Sequence, residues 1–222
     1  MCSRQLDQHL LSSPQSRVMP TAVSDPPGSS LLVLASRSPQ RQALLRDAGF
    51  AFTIEPAEVD EDNYSPGTMP ADLAIDLALA KANAISDRFP DRVVLGADTV
   101  VAFGDHIIGK PLDARHAREI LRLIAGTTVV VVTGIAVAIG ARQYMKTARV
   151  MSAARIRSLT PGEFEKYMVS GAWRNKAGAF GLQDENTIVR EVRGCRTNVI
   201  GLPMKTASAM LEEAGVEPRE TP

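Results

Sequence analysis

Between Leu31 and Gly49 the chain reads LLVLASRSPQRQALLRDAG, and this stretch constrains the fold more than any other. The run Leu31-Leu32-Val33-Leu34 shows no polar alternation, as expected of a strand buried on both faces. A polar turn follows, Ser36-Arg37-Ser38. Pro39 suits a first helical position, because its ring already holds helical φ and its missing N–H is no loss there. Ser38 is the matching N-cap, with a hydroxyl able to accept a first-turn N–H. Leu44, Leu45 and Ala48 then form one apolar face, and Gly49 is a fitting stop. The junction leaves free amides and the positive end of a helix dipole, a setting that suits phosphate. Arg41, in the first turn, adds charge and a two-pronged donor.

The chain beyond it alternates helical and strand patterns. Phe50–Glu55 reads as a strand and is followed by the acidic run Glu58-Val59-Asp60-Glu61-Asp62, a composition that usually marks a solvated loop. Pro70 opens a helix with Leu73, Ala74, Leu77, Ala78, Ala82 and Ile85 on one side. Lys81 falls on that same apolar stripe, so its ammonium either snorkels to water or is carried into a cleft. Arg92–Phe103 is the strongest strand pattern, and Asp98 interrupts it where neither face should welcome a carboxylate. An ionised group there needs a partner, a metal or an opening to solvent, which makes Asp98 a functional candidate. Gly104-Asp105 reads as a tight hairpin turn, and Asp113 caps a helix over Ala114–Ala125. Thr127–Ile139 and Lys146–Leu159 read as strands that pair antiparallel. Thr160-Pro161-Gly162-Glu163 is a capping box. Trp173–Gln183 is glycine-rich, so that backbone can approach a ligand closely. Ile188–Val192 is a strand, and Met204–Ala214 a last helix. Helices interleaved with mixed strands, with no internal repeat or linker between 31 and 215, imply a single α/β domain with two lobes around a cleft. Residues 1–30, rich in Ser and Pro, read as a disordered extension, and 216–222 as a C-terminal tail. Met19 offers an alternative start. A transit peptide fits less well, given Asp7, Asp25 and few arginines.

Charge and cysteine usage exclude several classes. Lys+Arg and Asp+Glu both number 25, so no overall field draws nucleic acid or an anionic membrane, and an anionic ligand must be held by a local cluster. Cys2 and Cys195 form neither a disulfide framework nor a metal pattern, which favours a reducing compartment. No apolar run reaches membrane-spanning length and the N-terminus lacks a secretory apolar core, so a soluble cytoplasmic protein is expected. There is no P-loop, and no Rossmann glycine motif after a first strand, so kinase and dehydrogenase readings lack support. The charged residues at element ends do form a set: Arg41, Lys81 and Lys110 as cations, Glu61 and Asp98 as carboxylates. A metal-bound triphosphate needs this mix, with cations on the phosphate oxygens and hard carboxylate oxygens on the metal or on water.

LASRSPQRQALL resembles the opening signature of the Maf family of nucleoside triphosphate pyrophosphatases, L-A-S-x-S-P-R-R-x-x-L-L. So do LGADTVV (95–101), GKPLDARHA (109–117), NKAGAFGLQ (175–183) and NVIGLP (198–203), in the same order. The resemblance implies a mixed-sheet, Maf/ITPase-like α/β domain that cleaves between the α and β phosphates. It implies Asp98 as catalytic base, with Glu61 and Lys81 beside it as catalytic partners. Glu61 and Asp98 would hold a divalent cation, Mg²⁺ or Mn²⁺. Substrate contacts are implied for Ser36, Ser38, Gln40, Arg41, Thr99, Lys110, Lys176 and Gln183, in a homodimer that binds neither nucleic acid nor membrane. The form of Lys176–Gln183 resembles the branch that prefers dTTP and UTP, and Gln183 can present one donor and one acceptor to O4 and N3–H of thymine or uracil.

The chain departs from the family pattern in three places. Gln40 stands where the first arginine of S-P-R-R is usual, removing a charge from the phosphate pocket or the base-contact region. Val129 replaces a histidine, and Arg196 an aromatic. Arg196 would restore the charge lost at Gln40 if the two met. The alternatives are the sister branch that prefers 7-methyl-GTP and a weakly catalytic nucleotide-binding regulator of cell division.

Overall fold

The computed structural model describes residues 31–219; the expectations for residues 1–30 lie outside them. In chain order the elements are β1 (Leu32–Leu34), α1 (Pro39–Asp47), β2 (Phe52–Ile54), α2 (Pro70–Ser86), β3 (Val93–Phe103), β4 (His106–Ile108) and α3 (Ala114–Ile124). There follow β5 (Thr128–Ile139), β6 (Tyr144–Ile156), α4 (Pro161–Ser170), β7 (Val189–Arg193), α5 (Arg196–Ile200) and α6 (Met204–Glu213). One sheet runs β2-β1-β3-β5-β6-β7, with β4 beside β3. The β1 strand is parallel to both β2 and β3, and from β3 through β5 and β6 to β7 every pairing is antiparallel. This is a mixed α/β sheet, as the sequence pattern implies.

Local chemistry explains the elements that were legible. Ser38 Oγ accepts from the Arg41 amide, with Pro39 at the first position of α1. Asp113 caps α3 through the His116 amide, and Thr160 with Glu163 forms a complete capping box on α4. At the β3–β4 turn Gly104 takes φ +58°. The α5 helix was not expected. It has no side-chain N-cap, and only tertiary contacts of Asn198 and Val199, both buried, define it. After α6 the chain buries Val216, and the Arg219 amide donates to Gly49 O at 2.9 Å.

Strand alternation along β3 organises the layers. Leu95 and Ala97 face the cluster built with α1 and α6, and Val101 faces the cluster of α3 and α4. Thr99 lies between them on that face. Val94 and Val100 face the opposite side, against α2. So do Gly96 and Asp98. One edge of β3 pairs with β1 over Val93–Leu95 and with β4 over Val101–Phe103. Residues 96–100 therefore have no strand on that edge among the described residues. The gap sits at the carboxyl end of β1, where open α/β sheets take their ligands, and it divides the two lobes.

Helix α2 lies flat on the sheet because two glycines let it. A Cβ on Gly96 would stand 2.3 Å from Ala78 O, and one on Gly134 would stand 2.1 Å from Ala74 O. Backbone cannot yield at such distances without moving the helix. We expect Gly134→Ala to cost about 3 kcal/mol, the upper range of overpacking. Gly162→Ala, where nothing lies within 4 Å of the added carbon, should stay within about 0.5 kcal/mol. Urea unfolding of the two variants checks this; equal midpoints would show that α2 is not seated on Gly134.

Candidate active site

The gap along β3 opens into a cavity of about 660 Å³, a size ordinary for small-molecule sites. Its wall takes Ser36, Ser38, Gln40 and Arg41 from the β1–α1 junction, Lys81 from α2, and Asp98 and Thr99 from β3. Glu61 comes from the acidic loop, Lys110 from the segment after β4, and Lys176 and Gln183 from the glycine-rich stretch. Every catalytic, metal or substrate residue that the resemblance implied thus reaches one cavity.

At its centre the Lys81 ammonium donates to Asp98 Oδ1 and to Glu61 Oε1, each at 2.6 Å. Lys81 is 5% exposed and Asp98 7%, so this lysine does not snorkel. It enters the cleft, one helical turn past Leu77 and on the same stripe. The Asp98 partner missing from the sequence is therefore an ammonium on the neighbouring layer. Glu61 Oε2 accepts from Lys110 at 2.5 Å. Within the acidic run only Val59 and Glu61 turn inward: Val59 packs against the cluster of Leu73, Leu77 and Val100, which directs Glu61, two residues on, toward Lys81.

Arg41 is held differently. It is 8% exposed, and donates from Nε to Gly201 O at 2.9 Å, from Nη1 to Ser36 Oγ and from Nη2 to Thr99 Oγ1, both at 3.1 Å. All three acceptors are neutral. Burial lowers its pKa, and the nearby charges of Asp98 and Glu61 oppose that shift. The helix N-terminus offers less to a ligand than the sequence implied. Pro39 has no N–H, Ser38 takes the Arg41 amide, Ser38 O takes that of Gln42, and the Gln40 amide is left without an acceptor among the described residues. Charge at this end comes chiefly from the Arg41 guanidinium.

Gln40 Oε1 accepts from Ser38 Oγ at 3.0 Å. Arg196 is exposed and absent from the cavity wall, so it does not restore the charge lost at Gln40. Two cations that the sequence reading passed over, Arg37 and Arg174, do line the cavity. Arg37 pairs with Glu58 on the exposed rim. Arg174 lies over the Trp173 ring at 4.9 Å, and Lys176 pairs with Asp184. The signal that would have found Arg174 is only its place within the glycine-rich run. With six cationic side chains against two carboxylates in its lining, the cavity is positive within a chain of zero net charge, the local cluster that an anionic ligand requires.

A family model described as Maf-like protein matches residues 31–214. The chain belongs to the Maf family. A relative from Anaeromyxobacter dehalogenans, named dTTP/UTP pyrophosphatase, is 40% identical over 83% of this chain and 94% of its own length. Relatives of the same name from Pelotomaculum thermopropionicum and Moorella thermoacetica are 38% and 39% identical, over 83% and 85% of this chain and 96% and 97% of theirs. Maf membership accounts for the five sequence blocks and for their order along the chain. No helix among the described residues is long and apolar enough to cross a membrane.

Glu61 gives the site a pH signature. Burial pushes its carboxyl up, but hydrogen bonds from Lys110 and Lys81, with their charges, outweigh that and hold it at about 2, against its ordinary 4.5. A depressed carboxyl stabilises the fold above its unfolded value, and that contribution is lost as pH falls from about 4.5 toward 2. Denaturant midpoints between pH 6 and pH 2.5 should therefore fall more steeply for the parent protein than for Glu61→Gln. Parallel curves would place Glu61 outside the ion network in solution.

Proposed function

We propose that this protein hydrolyses dTTP and UTP to the nucleoside monophosphate and pyrophosphate. The observation that carries the reading is the buried Asp98–Lys81–Glu61 network in the wall of a positive cavity, and the names of the Maf relatives support the substrate class.

In this reading Asp98 acts as general base. One of its oxygens is occupied by Lys81, and the other accepts the proton of a water that attacks the α-phosphorus. As the new P–O bond forms, the bond from the α-phosphorus to the bridging oxygen breaks, and its electron pair leaves with pyrophosphate. Lys110 and Arg41 face the charge that builds on the phosphate oxygens, and Lys81 keeps the base oriented toward the water. Glu61 ties Lys81 to Lys110, so base and cations move as a unit.

The donor set fits a divalent cation that arrives with the substrate. Glu61 and Asp98 carry hard carboxylate oxygens at adjacent points of the wall, three of the four accepting from Lys81 or Lys110, and among the described residues no third His, Cys, Asp or Glu joins them. An ion that brings phosphate oxygens of its own needs only one or two carboxylates. Such an ion, Mg²⁺ or Mn²⁺, would supply Lewis-acid neutralisation of the phosphate oxygens. The proposal extends to a homodimer, which family resemblance alone supports and sedimentation would read.

Asp98→Asn keeps the shape of the side chain and removes its carboxylate basicity. It should lower kcat at least a hundredfold, the usual scale for a lost general base, with the circular dichroism of the parent. A folded variant turning over at the parental rate would overturn the assignment.

Gln183 is exposed at the cavity wall and its amide makes no hydrogen bond within the described chain. In the proposed reading it takes O4 and N3–H of the base. dTTP and UTP should then exceed CTP by about ten- to a hundredfold in kcat/KM, and Gln183→Ala should erase most of that margin. Pyrophosphate release from a panel of dTTP, UTP, CTP, GTP and 7-methyl-GTP is the measurement. A preference for CTP or 7-methyl-GTP would overturn the base assignment, and release from none of them would leave the regulator reading.

A further inference from the structure

Lys176 lies in the cavity wall, yet its charge is already engaged. Its ammonium donates to both carboxylate oxygens of Asp184, at 2.5 and 2.6 Å, and the two side chains are only 18% and 15% exposed. Two of the three ammonium donors are thereby taken by Asp184, whose charge also offsets that of Lys176, so the pair offers a phosphate a single donor and little net attraction. The pair closes the segment from Lys176 to Asp184 into a loop pinned at several other points. Gly178 N donates to Gly109 O at 3.1 Å, next to Lys110, and Tyr167 OH donates to Ala179 O at 3.0 Å. Thr187 donates from Oγ1 to Gly181 O at 2.7 Å and from its amide to Asp184 O at 3.0 Å. Gly181 is where the loop makes room for the carboxylate: a Cβ there would stand 2.7 Å from Asp184 Oδ2. In this loop the Gly181 position serves an internal ion pair as well as lining the cavity. Gln183 is the residue immediately before Asp184, and its side chain is free in the structure.

We propose that Asp184 is a positioning residue and Lys176 its counterpart, a strut that fixes where the Gln183 amide meets the base. Lys176 is accordingly not a phosphate ligand. The inference rests on the reading of Gln183 as the base contact, and it supplies a fixed point on the loop from which that side chain reaches the base.

The test uses the full chain carrying Asp184→Asn, Lys176→Met, or the exchanged pair Lys176→Asp with Asp184→Lys, each checked for parental circular dichroism. Hydrogen exchange without nucleotide reads the strut itself. Amides over 177–187 should exchange faster in Asp184→Asn while the rest of the chain is unchanged. The ratio of kcat/KM for dTTP over CTP should fall about tenfold in both single variants, the scale of one mispositioned hydrogen bond, and recover in the exchanged pair. Inhibition by inorganic pyrophosphate should change less than about twofold in Lys176→Met. Tenfold weaker inhibition in that variant would make Lys176 a phosphate ligand and overturn the proposal. So would an unchanged base ratio in folded Asp184→Asn. If the parent shows no base preference, the reading of Gln183 fails, and the exchange measurement decides the strut alone. Should Asp184→Asn fail to fold, the exchanged pair decides: a lost base preference in it overturns the strut.

Discussion

An ammonium buried between two carboxylates is the constraint on which the rest of the site depends. Taking Lys81 out of water costs several kcal/mol unless the charge is met at close range, and Asp98 and Glu61 meet it at 2.6 Å each. Such distances require the helix carrying Lys81 to lie close against the strand carrying Asp98. Gly96, two residues before Asp98 on the same face, provides that closeness, and Gly134 provides it on the neighbouring strand. A methyl group at either position would lift the helix and lengthen the ion pair together. Packing and electrostatics are therefore one constraint here, and a change made to the sheet under the helix is felt at Asp98.

The same network orders a part of the chain that has no regular structure of its own. Between β2 and α2 no residue is helical or in a strand, and loops of that length in compact domains are usually functional. Val59 anchors this one in an apolar cluster, and Glu61 anchors it to Lys81 and Lys110. The rim of the cavity is thus tied to its floor through a single carboxylate, which explains why that carboxyl is held at about 2 despite its burial.

How much of this was legible in the sequence depended on whether the signal was local. The Ser38-Pro39 start of α1, the Asp113 cap and the Thr160–Glu163 box are contacts between residues a few positions apart, and all are present. Asp98 was visible as a misfit because alternation marks a polar residue inside an apolar strand, whereas its partner lies on another element and left no mark. Glu61 looked like any member of an acidic run, and only the inward turn of Val59 separates it from its neighbours. The α5 helix was illegible for the same reason: Asn198 donates to Val131 O and Ser152 Oγ, both at 3.0 Å, across the sheet, and no local cap announces it. Glycine was the least transparent residue. Gly181 and Gly178 read alike in the sequence, but one clears space for a carboxylate, whereas the other takes φ +70° and packs against Phe180 and Val101.

The charge arrangement also says which cation a ligand completes. Lys81 and Lys110 are matched against Asp98 and Glu61, two against two, and Lys176 is matched by Asp184. Arg41 is buried on neutral acceptors alone, so its charge is stabilised only at a distance. A buried guanidinium without a carboxylate is a poor contributor to the fold and a strong attraction for an anion, because the desolvation has been met during folding and the ligand gains the full interaction. In the proposed reading a phosphate oxygen at Arg41 relieves that imbalance without disturbing Asp98. Gln40, the residue beside it, carries no charge, so the attraction is concentrated on one guanidinium whose three hydrogen bonds leave it little freedom to move. Binding at this end is then governed by position more than by total charge, and in the proposed reading the pull on the substrate is directed along the β1–α1 junction toward Asp98 and the water that it deprotonates.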